Sequence, residues 1–198
     1  MHRLHAGRLT RLLAAAGTAI VLGFLLSTSS AAASPTAASL TAGPAAAPPG
    51  AYRIIATLPC KCYNGQKAIA YRAGYYIPPS TGFGRAKVLL KHNMYKPIVA
   101  FIVKGPHNSH GSGTSGEAYA YAVHIVNGEV VQVLKILAKY DTRHLSDNRS
   151  FGIVTAWCDG IQGKCPQWVN QAINAQAISQ ALWPANGTEL TYAPPPAG

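Results

Sequence analysis

The clearest alternation of apolar and polar positions surrounds the dipeptide Asn127-Gly128. Alternating runs at 118–126 and 129–139 flank this dipeptide. An Asn-Gly pair between two such runs is the strongest local signature of a two-residue hairpin turn. The pattern therefore predicts a pair of long antiparallel strands in the middle of the domain.

A two-residue turn pairs His124 with Val131 and sorts the hairpin residues onto two faces. One face carries large side chains and is predicted to face the core: Tyr119, Tyr121, Val123, Ile125, Val130, Gln132, Leu134 and Ile136. The other face carries small alanines beside a histidine and a lysine: Ala118, Ala120, Ala122, His124, Val131, Val133, Lys135 and Leu137. The space above the alanines fits either a ligand or a packed helix.

Shorter patterns predict the remaining elements. Strands are expected at 52–58, 66–77, 98–103 and 151–157, a turn-rich break at 78–84, and a polar loop at 104–117. A short helix is expected at 85–92, and a second at 167–183, where Pro166 suits the first turn. The predicted fold is α+β, with a short helix, an antiparallel meander of at least four strands (98–103, 118–126, 129–139, 151–157) and a C-terminal covering helix.

Both ends of the chain differ in composition from this domain. A basic segment, an apolar run at 12–26 and the small residues "AAA" at 31–33 form a secretory signal, with an uncleaved anchor as the alternative. We therefore expect a secreted protein without stable membrane insertion after cleavage. The predicted organisation is a signal peptide (1–33), an Ala/Pro-rich linker (34–50), one globular domain (51–190) and a disordered tail (191–198).

Four cysteines in an exported chain predict two disulfides. A bridge across "CKC" would close a small ring, so Cys60 and Cys62 are expected to pair with Cys158 and Cys165. A local Cys158–Cys165 bridge is the alternative. The CxC and Cx6C spacings do not match a structural zinc site.

Positive charge is concentrated in the first half of the domain. The whole chain has a formal net charge of +11, and residues 51–116 hold nine Lys and Arg residues without one Asp or Glu. Such a field attracts polyanions such as nucleic acid, teichoic acid or anionic lipid. General solubility explains the net charge, but it does not explain the acid-free run.

Common catalytic signatures are absent from the sequence. The six acidic residues are scattered, which disfavours a glycosidase, and no GxSxG, SxxK, HExxH, Walker or GxGxxG motif occurs. The histidines of "HNSH" (107–110) could form half of a metal site, but they lack a nearby third ligand. No metal or cofactor is therefore predicted.

The histidines and cations fit one reaction class. Cleavage of RNA through its own 2′-hydroxyl needs a base, an acid and cations on the phosphate, but no metal. Histidine can fill both proton roles near neutral pH. The candidate catalytic residues are His92 with one of His124, His107 or His144, and the candidate phosphate contacts are Lys87, Lys91, Arg143 and Arg149.

Two short segments carry a resemblance to a known class. "LLKHN" (89–93) ends the predicted helix, and "GIVTAW" (152–157) is a late strand after the meander. This arrangement resembles the ribonuclease toxin domains of the barnase/EndoU/colicin/RelE class, which are small α+β nucleases that cleave RNA without metal. The resemblance implies roles for Lys91, His92, Arg143 or Arg149, and Thr155, with RNA as substrate and a cognate inhibitor protein as partner. The disulfides and the plain signal peptide depart from that class.

Two hypotheses follow. The first is a secreted, metal-independent endoribonuclease. The second is a non-catalytic exported module that binds an anionic cell-surface polymer or a partner protein.

Overall fold

The computed structural model describes residues 46–172 and 186–194. The predicted signal peptide, most of the linker and the predicted helix beyond residue 172 lie outside these ranges. Within the described ranges no helix is long and apolar enough to cross a membrane.

The described chain is a mixed α/β structure with antiparallel sheets. Its elements are β1 (Ile54–Pro59), β2 (Ala68–Arg72), β3 (Tyr75–Ile77), β4 (Thr81–Phe83), α1 (Gly84–His92), α2 (Lys96–Lys104), β5 (Asn108–His110), β6 (Ser115–Val126), β7 (Glu129–His144), β8 (Ser150–Cys158), a 3-10 helix (Gln167–Gln171) and β9 (Gly187–Thr191). The strands form the pairs β1-β2 and β3-β4 and a five-stranded sheet in the order β5-β6-β7-β8, with β9 also paired to β6.

The predicted hairpin is confirmed, although its register changes close to the turn. Asn127 and Gly128 have φ values of 55° and 80°, the left-handed values that a tight hairpin turn requires. A bulge between His124 and Ile125 then pairs His124 with Gln132 instead of Val131. Beyond the bulge, each residue of β7 pairs with β6 one position away from its predicted partner.

The prediction of the core face was wrong for β6, whereas Leu134 and Ile136 of β7 lie in the core as predicted. Ala118, Ala120 and Ala122 are fully buried, and Ile136 joins their face because it pairs with Ala120. The small alanines let α2 approach the sheet closely, as the packed-helix alternative required. Tyr119 and Tyr121 lie on the opposite, half-buried face.

The strand predicted at 98–103 was also wrong, because this segment belongs to α2. Pro97 lies in the first turn of α2, where its missing N–H costs nothing. Ile98, Val99, Ile102 and Val103 are fully buried. A helix enclosed on nearly all sides has no polar stripe, so its apolar run looks like that of a buried strand.

Several element boundaries differ from the prediction. The strand predicted at 66–77 is divided into β2 and β3 at Ala73-Gly74, the predicted turn at 78–84 contains β4, and the predicted loop at 104–117 contains β5. Of the helix predicted at 167–183, the described part is a 3-10 helix.

The predicted tail starts too early, because its first residues are part of the fold. Thr191 belongs to β9. The Tyr192 ring stacks on Phe101 of α2 at 4.3 Å, and its hydroxyl donates to the Phe101 carbonyl over 3.1 Å.

The preferred disulfide pairing was wrong, and the local alternative for the second pair is confirmed. Cys60 pairs with Cys62, and Cys158 pairs with Cys165, with Cα–Cα distances of 5.2 and 5.6 Å. Both distances lie in the range that a disulfide spans, so the CxC ring closes locally. The second bridge holds a loop that packs against the end of α1.

Candidate functional site

The end of α1 holds His92 in an enclosed position. Asn93 ends the helix with φ 51°, and its backbone N–H donates to the Leu89 carbonyl. The side chain of His92 is only 8 % exposed, and its Nδ1 lies 3.1 Å from the Gly163 carbonyl. Since a carbonyl can only accept, Nδ1 carries the proton of this hydrogen bond.

Burial lowers the pKa of His92. The Gly163 hydrogen bond acts in the opposite direction, and the charges of Lys91 and Lys87 lower the pKa further. His92 is therefore neutral at neutral pH, and it faces the disulfide loop 158–165 rather than the alanine face of the hairpin.

We expect His92 to make stability depend on pH in the weakly acidic range. The unfolded chain binds a proton near the ordinary pKa of about 6.5, whereas folded His92 resists it, so stability falls as pH drops below about 7 and levels off below the folded-state pKa. Urea unfolding of His92→Gln between about pH 7.5 and 5 should show a smaller decline than the native protein. The matched control is His110→Gln at an exposed position, which should keep the native slope. Equal slopes in all three proteins would contradict this role of His92.

Three cations of α1 and the first residue of α2 lie close together in the sequence. Lys87 and Lys91 are half-buried, and burial, followed by the charge of Lys91, lowers the pKa of Lys87. Arg85 and Lys96 are exposed and line a cavity of about 400 Å³ with Tyr71. We call Arg85, Lys87, Lys91 and Lys96 the α1 basic cluster; within it, Lys87 and Lys91 lie one turn apart on the side of α1 opposite Arg85. Neither helix has an acidic residue in its first turn to offset these charges.

His107 and His110 do not converge on a common site. The ring of His107 stacks on Tyr119 at 4.5 Å, and its Nε2 lies 2.6 Å from the Tyr192 carbonyl. His110 instead contacts the Tyr63 ring, and its Nε2 lies 2.9 Å from the Gly113 carbonyl. No group of three or more His, Cys, Asp or Glu residues in the described ranges could hold a metal ion.

His124 and Thr155 also lie apart from the other candidates. His124 stacks on Trp168 of the 3-10 helix at 4.9 Å, so a packed element covers it. Thr155 pairs with Lys139 and alternates with the buried Ala156. It therefore lies on the face of the sheet away from the core, and its hydroxyl oxygen has no hydrogen-bond partner within the described ranges.

The loop between β7 and β8 brings two predicted residues together. His144 and Arg149 both line a cavity of about 230 Å³ whose opposite wall is the β1-β2 hairpin. We call it the β7-β8 cavity. The Nδ1 of His144 lies 3.3 Å from the side-chain oxygen of Asn148 in the same loop.

Arg143 does not join this cavity. Its guanidinium lies 3.4 Å from the carboxylate of Asp141 and 5.3 Å from the Phe151 ring centre. Asp141 thus partly neutralises a residue that was expected to contact phosphate.

Sequence reasoning missed Arg72, which organises the loop. This guanidinium is 1 % exposed, and it pairs with both carboxylate oxygens of Asp147 at 2.8 and 3.1 Å. It also donates to the carbonyls of Ser150 and Phe151 at 2.8 and 3.0 Å. The hydrogen bond from Arg72 is the largest cause of a lowered pKa at Asp147. The sequence signal was a cation in the middle of the strand predicted at 66–77.

The candidates therefore fall into separate groups. The structure places His144 with Arg149, and His92 with Lys87 and Lys91. Within the described ranges, no two of His92, His107, His110, His124 and His144 share a hydrogen-bond or ring partner.

Comparison with known proteins found no match to this chain among family models, curated proteins or solved structures.

Proposed function

We propose that this protein is an exported, non-catalytic module that binds an anionic polymer through the α1 basic cluster. The observation that carries the proposal is the uncompensated charge of that cluster. In the described ranges the ion pairs are Arg72–Asp147 and Arg143–Asp141, and neither involves a cluster residue. The cluster also lies in the run of the sequence that contains no acidic residue.

Apolar groups beside the cluster fit a surface that binds a chain. Leu90 is 58 % exposed and Tyr95 is 39 % exposed, and they directly precede Lys91 and Lys96 in the chain. Cations that hold a polyanion release its counterions, which drives association.

The arrangement of the histidines favours binding over catalysis. Acid–base cleavage needs two proton-transferring groups that reach the same phosphate. His92 is enclosed and donates to Gly163, while the rings of His107, His110 and His124 each contact a different aromatic ring. His144 is the histidine that shares a cavity with a candidate phosphate contact.

We expect binding of poly(U) to weaken steeply with salt and to depend on the cluster. In the double variant Lys87→Gln/Lys91→Gln, the slope of log K against log salt should become shallower by about 1.4, since each lost phosphate contact changes it by about 0.7 on a single strand. Fluorescence titration in EDTA at several salt concentrations measures the slope. Dextran sulfate serves as a second polyanion.

The control is the double variant Lys104→Gln/Lys139→Gln, which removes two exposed lysines outside the cluster. It should keep most of the native slope. Equal losses in the two double variants would mean that net charge, and not the cluster, attracts the polymer. Binding that is insensitive to salt would also contradict the proposal.

A metal-independent ribonuclease is the second candidate, favoured by the shared cavity of His144 and Arg149. The same titration tests it, because RNA length is measured after incubation in EDTA. Cleavage that is lost in His144→Gln and kept in His92→Gln would support catalysis at this cavity. Intact RNA would favour the binding module.

A further inference from the structure

One side of α1 and the first residue of α2 border the cavity of about 400 Å³, which we call the α1-α2 cavity. Arg85 and Leu89 lie one turn apart on α1, so they share the face that lines it. The volume falls within the ~300–1,000 Å³ of typical small-molecule pockets. The described lining residues, none of them acidic, are Tyr71, Arg85, Leu89, Met94, Tyr95 and Lys96. The cavity therefore combines two cations with apolar and aromatic side chains.

The ring of Tyr95 is exposed and has no aromatic neighbour within the described ranges. Tyr63, Tyr119 and Tyr192, in contrast, each have their ring centre within 4.5 Å of the centre of another ring. The Tyr95 side chain is 39 % exposed at the cavity. Its ring is therefore available to stack on a flat group of a ligand.

Hydrogen bonds hold the backbone around Tyr95 in place. Its N–H donates to the side-chain oxygen of Asn170 over 3.0 Å, and the side-chain amide of Asn170 donates to the Asn93 carbonyl over 2.6 Å. The Tyr95 carbonyl accepts from the Ile98 N–H over 3.1 Å. Asn170 is buried, so these contacts are shielded from water. Because the backbone is already ordered, stacking on the ring costs less conformational entropy.

Arg85 and Lys96 supply positive charge to the same cavity. Both are exposed, and neither forms an ion pair with a described carboxylate. Lys96 is also the first residue of α2, and no acidic residue in the first turn offsets the positive end of this helix. The guanidinium of Arg85 can bind a phosphate or stack on a base.

This combination distinguishes among polyanions. A polyol phosphate or a polyphosphate would use the two cations but would have no flat group for Tyr95. Single-stranded nucleic acid carries both phosphates and unpaired bases, and every base has a face that stacks on an aromatic ring. A duplex keeps its bases in its own stack, so it could use only the cations.

We propose that the α1-α2 cavity binds one base of a single-stranded nucleic acid. The base stacks on Tyr95 and contacts Leu89, while the neighbouring phosphates contact Arg85 and Lys96. This inference rests on the proposed function, because it identifies the polymer that binds at the α1 basic cluster and adds a position for a base.

Two oligomers with equal numbers of phosphates test the inference. One is an oligothymidylate of about twelve nucleotides, and the other is the abasic oligomer of the same length. Fluorescence anisotropy in EDTA gives the affinities, and amide NMR shifts of residues 85–96 give the location. The native protein should bind oligothymidylate at least about fivefold more tightly, as expected for stacking of one base. Tyr95→Leu should remove most of this preference without weakening the abasic oligomer, and Tyr95→Trp should keep it.

Two further variants separate the ring from the charges. Arg85→Gln should weaken both oligomers and make the slope of log K against log salt shallower by about 0.7, whereas Tyr95→Leu should leave the slope unchanged. Tyr76→Leu is the matched control, because it removes a half-buried ring outside the cavity that also has no aromatic neighbour in the described ranges. It should keep the native preference for oligothymidylate.

The outcomes distinguish this inference from the proposed function. Equal, salt-dependent binding of the two oligomers to the native protein would overturn the inference and leave polyanion binding at the α1 basic cluster standing. Equal losses in Tyr95→Leu and Tyr76→Leu would also overturn it. Tighter binding to phosphatidylglycerol vesicles that is lost in Tyr95→Leu would reassign the cavity to lipid. If neither oligomer binds, both proposals are wrong.

Discussion

Replacing Arg72 with methionine should destabilise the protein by about 3–5 kcal/mol, the loss typical of breaking a buried charged network. Methionine keeps much of the side-chain volume but removes every donor. The carbonyls of Ser150, Phe151 and Tyr52 then lose the guanidinium that they share. Asp147 contributes less to the loss, because its side chain is 43 % exposed and water can solvate it. Urea unfolding of the variant measures the change.

Two further variants separate this network from the effect of charge alone. Arg72→Lys keeps the charge but loses the planar fork, so its stability should lie between that of the methionine variant and the native protein. Arg53→Met removes an exposed arginine and should change stability by no more than about 0.5 kcal/mol. A similar small change in Arg72→Met would show that the network contributes little.

A methyl group at Gly152 should destabilise the protein by a comparable amount. Gly152 has φ 101°, and an added Cβ would lie 2.2 Å from the carbonyl oxygen of Ala70. This contact is between backbones, where β2 packs against β8, so a side-chain rotation cannot relieve it. Backbone strain of about 1–3 kcal/mol and overpacking of about 1–3 kcal/mol act together in Gly152→Ala.

Gly160→Ala is the matched control for this prediction. Gly160 also has a positive φ, 71°, but a Cβ there would meet no atom within 4 Å. The control should therefore lose only the strain of a left-handed alanine, about 1–2 kcal/mol. If both variants unfold at the same urea concentration, the packing of β2 on β8 is looser than the structure indicates. A Gly152 variant that fails to fold where the Gly160 variant folds agrees with the prediction.

Local signals in the sequence were sufficient to predict some secondary-structure elements. The Asn127-Gly128 turn and helix α1 depend on residues that are close in the chain, and both are present as predicted. Turn chemistry and helix termination act over a few residues, so a single sequence contains the information.

Other elements depend on contacts that are distant in the chain. The bulge at His124 shifts the pairing of β7 on β6 by one residue, and nothing in the alternating pattern marks the extra residue. The apolar run of α2 is a helix because the alanine face leaves room for one. In both cases packing of the whole domain decides between local structures of similar propensity.

The candidate site residues divide in the same way: the sequence indicates single residues, but not the contacts between distant parts of the chain. His144 and Arg149 were identified individually, because a polar loop with cations is visible in the sequence. Their common cavity was not predictable, because its other wall, including Gln66, lies about 80 residues earlier in the chain. Arg72 was missed for the same reason, since its partner Asp147 is 75 residues away.

The packing of Tyr192 on α2 has a consequence for how the protein folds. The hydrogen bond from Tyr192 to Phe101 joins residues 91 positions apart, and His92 and Gly163 are 71 positions apart. Contacts of such long sequence separation slow folding, because a large loop must close before they form. A chain that is still being synthesised cannot complete the five-stranded sheet until β9 has emerged.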